Sequence, residues 1–194
     1  MERDDGVSTP THLDGLEPDN VLTFADWRHP AFLNAFTERC REDGPRGHNW
    51  RLGVVNGVFD LCHVGHINLI NQAGEYDCES IFLVALLNTD ASAARLKGPR
   101  RPIVPLAARL WAVAMQPCVM LAAGFDEDTP EQALAALKPD FLFKGGEYAL
   151  GRVPGAGHCG KVVYLRDTPG VSTSLIEQKI VAAYGRRAAG PRDG

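Results

Sequence analysis

The chain has 194 residues, enough for one domain with its own hydrophobic core. Hydrophobic residues make up 45%, charged residues 23%, and the net charge is −4, the composition of a globular protein rather than of a general nucleic-acid binder, which is basic over its whole domain. No apolar run reaches the ~18–20 residues that a membrane-spanning helix needs, and the acidic, polar start "MERDDGVSTP" lacks the form of a signal peptide.

Residues 1–20 mix Pro, Gly, Asp and Thr without periodicity and read as a loose tail. "FADWRHPAFLNAFTERCRE" reads as helical, with Phe32, Phe36 and Cys40 four apart on one face. "RLGVV" is a first short strand. Residues 64–76 form a helix with Leu69, Ala73 and Tyr76 on one side. "IFLVALL" is a continuous apolar run, as in a strand covered on both faces. "PLAARLWAVAMQ" is helical, with Pro105 near its start and Leu106, Leu110 and Val113 in register. "CVMLA" is a third strand. "TPEQALAAL" opens on a capping box, with Thr129 as cap, Pro130 at the first position and Gln132 three on. "DFLF" and "KVVYL" are strands four and five. The last helix carries a second box, Ser174 with Glu177, and stops at Gly185. Residues 186–194 read as a second tail, leaving 21–185 as the folded domain.

Five cysteines, Cys40, Cys62, Cys78, Cys118 and Cys159, are scattered without a CxxC pair, which implies a reduced, cytoplasmic compartment. Cys78 and Cys118 sit in or beside apolar runs and are expected in the core.

Alternation of strand and helix implies an α/β fold with a doubly wound, parallel, five-stranded sheet. In such sheets ligands lie beyond the carboxyl ends of the strands. Those ends read "NGVFDLCHVGH", "NTDASAARLKGPRR", "GFDEDT", "KGGEY" and "RDTPGVSTS". Gly57 and Gly65 flank a strand-to-helix turn, where a helix N-terminus presents free N–H groups to an anion. Arg95, Lys97, Arg100 and Arg101 concentrate positive charge in an acidic chain. Lys144 stands at a strand end beside Gly145 and Gly146, and "GVSTS" adds hydroxyls at a helix start. Together these favour a polyphosphate, although neither GxxxxGK[ST] nor GxGxxG is present.

His63 and His66 admit three readings. As metal ligands they would need partners such as Cys62, His158 and Cys159, which lie at spacings unlike those of structural zinc sites. As packing residues they would be polar groups at a Gly-rich helix start. As a phosphate site they would donate from a helix N-terminus and carry charge when an anion binds.

"NGVFDLCHVGH" resembles the NGxFDxxHxGH signature of the HxGH nucleotidyltransferases, a cytidylyltransferase-like superfamily. "LLNTDASAARLKGPRRPIVPLAAR", "FDEDTPEQALAALKPDFLFKGGEY" and "GVSTSLIEQKI" are similar to the segments of its sugar-phosphate branch, the D-glycero-D-manno-heptose 1-phosphate adenylyltransferases. The similarity runs from about residue 21 to about 184. Val58 stands where Cys is frequent, Glu147 where Asp is usual, and Ser174 in place of the second Thr of an STT run.

The resemblance implies a Rossmann-like nucleotidyltransferase that joins an NTP, ATP before CTP, to a sugar 1-phosphate. It implies His63, His66, Lys97 and Thr173 as catalytic residues. It places Asn56, Gly57, Phe59, Asp60, Gly65, Lys144, Gly145, Gly146 and Ser172 at the nucleotide, and Asn88, Asp90, Arg101 and Glu147 at the acceptor. Arg109 is structural or reaches a phosphate. Mg²⁺ is expected with the NTP, held mainly by its phosphates, and no protein-held metal. A homodimer and a separate upstream sugar kinase are implied, with no nucleic-acid or membrane partner. Two alternatives stand: a CTP-dependent transferase acting on glycerol 3-phosphate or another phosphorylated alcohol, and a nucleotide-binding regulator without turnover.

Overall fold

A computed structural model describes residues 22–41, 50–76, 80–146 and 153–184. Six parallel strands form one sheet in the order β1-β4-β3-β2-β5-β6. In chain order the elements are β1 (Leu22–Phe24), α1 (Pro30–Arg41), β2 (Arg51–Gly57), α2 (Val64–Gly74), β3 (Ile81–Asn88), α3 (Asp90–Lys97), α4 (Leu106–Ala114), β4 (Val119–Phe125), α5 (Glu131–Leu137), β5 (Phe141–Gly145), β6 (Lys161–Leu165) and α6 (Thr173–Tyr184). No helix among the described residues is long and apolar enough to cross a membrane.

Hydrophobic burial on both faces of the sheet sets this arrangement. All eight residues of β3 are buried, as a central parallel strand requires. On one face Ile70 and Ala73 of α2 and Leu110 and Val113 of α4 pack on Val55, Leu83, Ala85 and Leu87, with Leu69, Tyr76 and Leu106 at the margin. On the other, Phe32 of α1 and Ala133, Leu134 and Leu137 of α5 pack on Val54, Phe82, Val84 and Leu142, with Phe36 alongside. For α1, α2 and α4 these are the helix faces expected from periodicity. Cys118 packs at the edge of the first cluster, while Cys78, the Cys40 side chain, both tails and Gly185 lie outside the described residues.

The sheet has six strands, not five. Residues Leu22–Phe24 pair with β4, and the helix expected from Phe24 onward starts only at Pro30. Three residues are too short to show a strand period. Their place is made by Gly124, where a Cβ would collide with the Ala25 carbonyl, and by Trp27, whose N–H donates to the Gly124 carbonyl at 3.0 Å. The second difference is α3. "DASAARLK" follows a strand end and reads as part of a loop, but it is helical, and Thr89 caps it by accepting from the Ser92 N–H.

Neither expected capping box forms. α5 begins after Pro130 with no side-chain cap bond. α6 begins two residues earlier than the Ser174 box requires, so Ser172 takes over, its Oγ accepting from the Leu175 N–H at 3.2 Å.

Candidate active site

Chain order reverses between β2 and β5: β3 and β4 are added on one side of β2, then β5 and β6 on the other. Loops diverge at such a point and open a crevice beyond the strand ends. A cleft of about 540 Å³ lies there. Lys144 of β5 donates from Nζ to Asn56 Oδ1 of β2 at 2.8 Å, bridging the two strands at the floor. Burial pushes the Lys144 ammonium pKa down. An anion bound beside it would offset that desolvation.

The two histidines stand at the start of α2. Phe59 and Leu61 take left-handed backbone conformations, φ 53° and 47°, uncommon for such residues and typical of a turn that serves a site. His63 is the helix cap: its Nδ1 accepts from the Gly65 N–H at 3.1 Å. The proton of the neutral ring therefore sits on Nε2. Gly65 must be small for this, since a Cβ there would lie 3.0 Å from the His63 ring. His66 stacks on His63 with centroids 3.8 Å apart, and Phe59 closes its other side edge-on at 5.2 Å. Burial and then the neighbouring His63 push the His66 pKa down to about 4, against a smaller opposing pull from Asp60; burial also lowers that of His63. At about 4, the His66 ring is a neutral N–H donor near pH 7. His66 Nδ1 is buried with no hydrogen-bond partner among the described residues.

Of the four clustered cations, two are neutralised by the protein itself. Arg95 binds Asp128 at 2.8 Å and the Asp126 carbonyl. Arg101 binds Asp60 at 2.8 Å. Lys97, in the last turn of α3, lines the cleft with no ion-pair partner among the described residues. Asp60 is a structural hub as well as a lining residue: it also accepts from the N–H groups of Ile103 and Val104, both at 2.9 Å. Arg109 is buried outside the cleft. It donates to the carbonyls of Val104 and Val58 and to Asp90 Oδ1, which answers the question the sequence left open in favour of structure.

At the start of α6, Ser172 Oγ uses a lone pair on the Leu175 N–H, so its own proton is available to a ligand. Thr173 Oγ1 donates to the Asp60 carbonyl at 2.9 Å, so its proton is engaged and only its lone pairs face the cleft.

The cleft thus collects Asn56, Gly57, Phe59, Asp60, His63, His66, Asn88, Lys97, Arg101, Lys144, Ser172 and Thr173. Gly65, Asp90, Gly145 and Gly146 do not line it. Gly65 makes room for the His63 ring, Asp90 anchors Arg109, and Gly145 and Gly146 lie against Asp167. Glu147 lies outside the described residues. Among the readings of the histidines, His158 sits 3.8 Å from Glu131, Cys159 turns its thiol to the Gly155 carbonyl, and neither lines the cleft.

Sequence reasoning missed Val58, Leu96, Asp128, Thr129, Pro130, Pro154 and Ser174 as lining residues. The strand end "GFDEDT" points at this edge, but in the sequence Thr129 and Pro130 read as helix-capping residues.

The model of the cytidylyltransferase-like family matches residues 54–179. The bifunctional protein HldE of Acidiphilium cryptum (strain JF-5) is 43% identical over 141 residues, covering 71% of this chain and 27% of its own length. That of Hahella chejuensis (strain KCTC 2396) is 39% identical over 142 residues, covering 71% and 29%. The chain spans less than a third of the length of these relatives. A crystal structure of a lipopolysaccharide core biosynthesis protein from Thermoplasma volcanium GSS1 superposes with TM-score 0.51 at 24% identity, covering 61% of this chain and 98% of that one, a likeness of fold. The match of the family model across both histidines and the α6 start, on a sheet whose switch point holds them, settles the kinship: the chain belongs to the cytidylyltransferase-like family of nucleotidyltransferases.

Proposed function

We propose that this enzyme transfers the nucleotidyl group of an NTP, ATP by preference, to the phosphate of a sugar 1-phosphate, a heptose 1-phosphate by preference. One observation carries the reading: the stacked His63–His66 pair, Lys144 and the Ser172 hydroxyl converge on one cleft as neutral or cationic donors. The HldE relatives and the sugar-phosphate segments of the sequence support the choice of acceptor.

An acceptor phosphate oxygen attacks the α-phosphorus in line, the bond to the β-phosphate oxygen breaks, and pyrophosphate leaves with that electron pair. The new phosphoanhydride joins sugar phosphate to nucleoside monophosphate. The protein's task is to hold two anions together and to stabilise the charge that grows on the α-phosphoryl oxygens. His63 Nε2–H and the His66 ring donate to phosphate oxygens, with His66 nearest the transferring group. Lys97 neutralises the attacking or α-phosphate, and Ser172 holds the β,γ-phosphates. Thr173 contributes by fixing the turn at Asp60.

Mg²⁺ fits as a passenger of the nucleotide, coordinated by phosphates and water. Asp60 and Asp128, the carboxylates lining the cleft, are already engaged by Arg101 and Arg95. Because the acceptor carries a phosphoester, a phosphorylating reaction has to precede this one.

The test is pyrophosphate release across a grid of NTPs and phosphorylated acceptors. ATP with heptose 1-phosphate should turn over fastest. Preference for CTP with glycerol 3-phosphate would refute the base and acceptor. Tight NTP binding with no release from any acceptor would identify a regulator instead.

A further inference from the structure

The segment 126–130 after β4 is joined to the rest of the molecule from two sides. From α3, Arg95 binds Asp128 and the Asp126 carbonyl, and Ser92 Oγ donates to the Glu127 carbonyl at 2.9 Å. From the turn between β1 and α1, Arg28 pairs with Glu127, whose two carboxylate oxygens are shielded from solvent. Arg28 also donates to Gln132 Oε1 at 3.2 Å in the first turn of α5 and lies over the Trp27 ring at 4.9 Å. One guanidinium thus joins Glu127 of the segment to Gln132, two residues past its end. It stands on residues outside the 54–179 span that the family model matches.

Between Glu127 and Gln132, the residues Asp128, Thr129 and Pro130 line the cleft. They come from the β3–β4 side of the sheet, whereas His63, Lys144 and Ser172 come from β2, β5 and α6. Thr129 occupies a sequence position suited to capping α5, yet the helix begins after Pro130 and uses no side-chain cap. Its hydroxyl has no hydrogen-bond partner among the described residues, so it is free for a ligand. Asp128 receives Arg95 on Oδ1 and keeps acceptor capacity on Oδ2. A donor–acceptor hydroxyl beside a fixed carboxylate suits a polyol, whose hydroxyls both donate and accept.

We propose that residues 126–130 form the acceptor-reading wall of the cleft, with Thr129 and Asp128 bonding hydroxyls of the sugar, and that Arg28 is the positioning residue that sets this wall. The inference rests on the reading of the acceptor as a sugar phosphate. Losing one such hydrogen bond costs ~10-fold in acceptor binding.

Steady-state kinetics with ATP and heptose 1-phosphate provide the first test. Thr129→Val should raise KM for the sugar phosphate ~10-fold while KM for ATP stays within about twofold, and Thr129→Ser should restore it. Arg28→Ala should show the same split, and Arg28→Lys, which keeps the charge on Glu127, should recover part of it. A melting temperature measured on each variant separates lost folding from lost positioning. Calorimetry of heptose 1-phosphate on enzyme saturated with a non-reacting ATP analogue reads the wall without turnover. Equal rises in both KM values, or unchanged acceptor binding in Thr129→Val, would overturn the wall. A fall in melting temperature alone in Arg28→Ala would overturn its positioning role. Wild-type enzyme that binds the sugar phosphate through Thr129 without releasing pyrophosphate would refute the proposed reaction but retain the wall; failure to bind it at all would refute both.

Discussion

Nucleotide binding should make the free enzyme take up a proton, and His66 should be the group that receives it. Burial first, and then the His63 ring stacked 3.8 Å away, hold His66 at about 4. At pH 6 that leaves on the order of 1% of the ring protonated, given a tenfold change per pH unit. A magnesium-bound triphosphate brings about two net negative charges into the same cleft. At ~5 Å and an effective dielectric near 20, each contributes ~3 kcal/mol, equivalent to ~2 pH units. One such charge would lift the ring to ~6 and two would carry it past its ordinary value. Isothermal calorimetry of a non-reacting ATP analogue with Mg²⁺ at pH 6, in two buffers of different ionisation heat, measures the uptake. The difference between wild type and His66→Ala removes the nucleotide's own protons from the comparison. We expect a difference of ~0.5–1 proton per site. Identical uptake in the two proteins, or a His66 resonance titrating near 6.5 without ligand, would refute the assignment of a desolvated ring awaiting an anion.

His66→Ala should lower kcat by ~10²–10³-fold with the melting temperature nearly kept, as for loss of a charge-stabilising donor; pyrophosphate release checks it, and near-normal turnover would end the catalytic role. Gly65→Ala places a Cβ 3.0 Å from the His63 ring and should displace it, lowering kcat while circular dichroism stays native. Arg109→Met leaves the Asp90 carboxylate and two carbonyls without their donor and should destabilise by ~3–5 kcal/mol in urea unfolding. Burial alone would raise the Asp60 pKa, but the N–H groups of Ile103 and Val104 and the Arg101 guanidinium outweigh it and hold it below the ordinary carboxylate value. Asp60 therefore adds stability above its unfolded value near 4, and that contribution disappears as pH falls through the lower folded value. Asp60→Asn should lower stability at pH 7 and flatten this acid-side decline, read by denaturant unfolding at several pH values.

The local strength of each signal decides how much of this molecule is legible in its sequence. β3 announces itself as seven consecutive apolar residues, and α2 and α4 show a helical stripe, because burying one face demands that spacing wherever the chain goes. His63, His66, Lys144 and Ser172 could be placed at one edge because parallel strands expose their carboxyl ends together. β1 could not be placed, since its three residues become a strand only by meeting β4 across the Gly124 gap. Nor could the fates of the basic residues be told apart. Arg95, Lys97 and Arg101 are equivalent cations on paper, yet Asp128 and Asp60 claim two of them and leave Lys97 facing the cleft. Thr129 reads as a cap and stands in the wall; Asp60 reads as a ligand contact and also holds the 101–104 turn. The sequence by itself determined the alternating fold, the family and the edge where chemistry collects, because these follow from residue type and spacing along the chain. Tertiary structure decided which of the polar groups at that edge are consumed by one another and which remain for a ligand, because hydrogen bonds across distances of 31 to 113 residues are made only after the strands have chosen their neighbours.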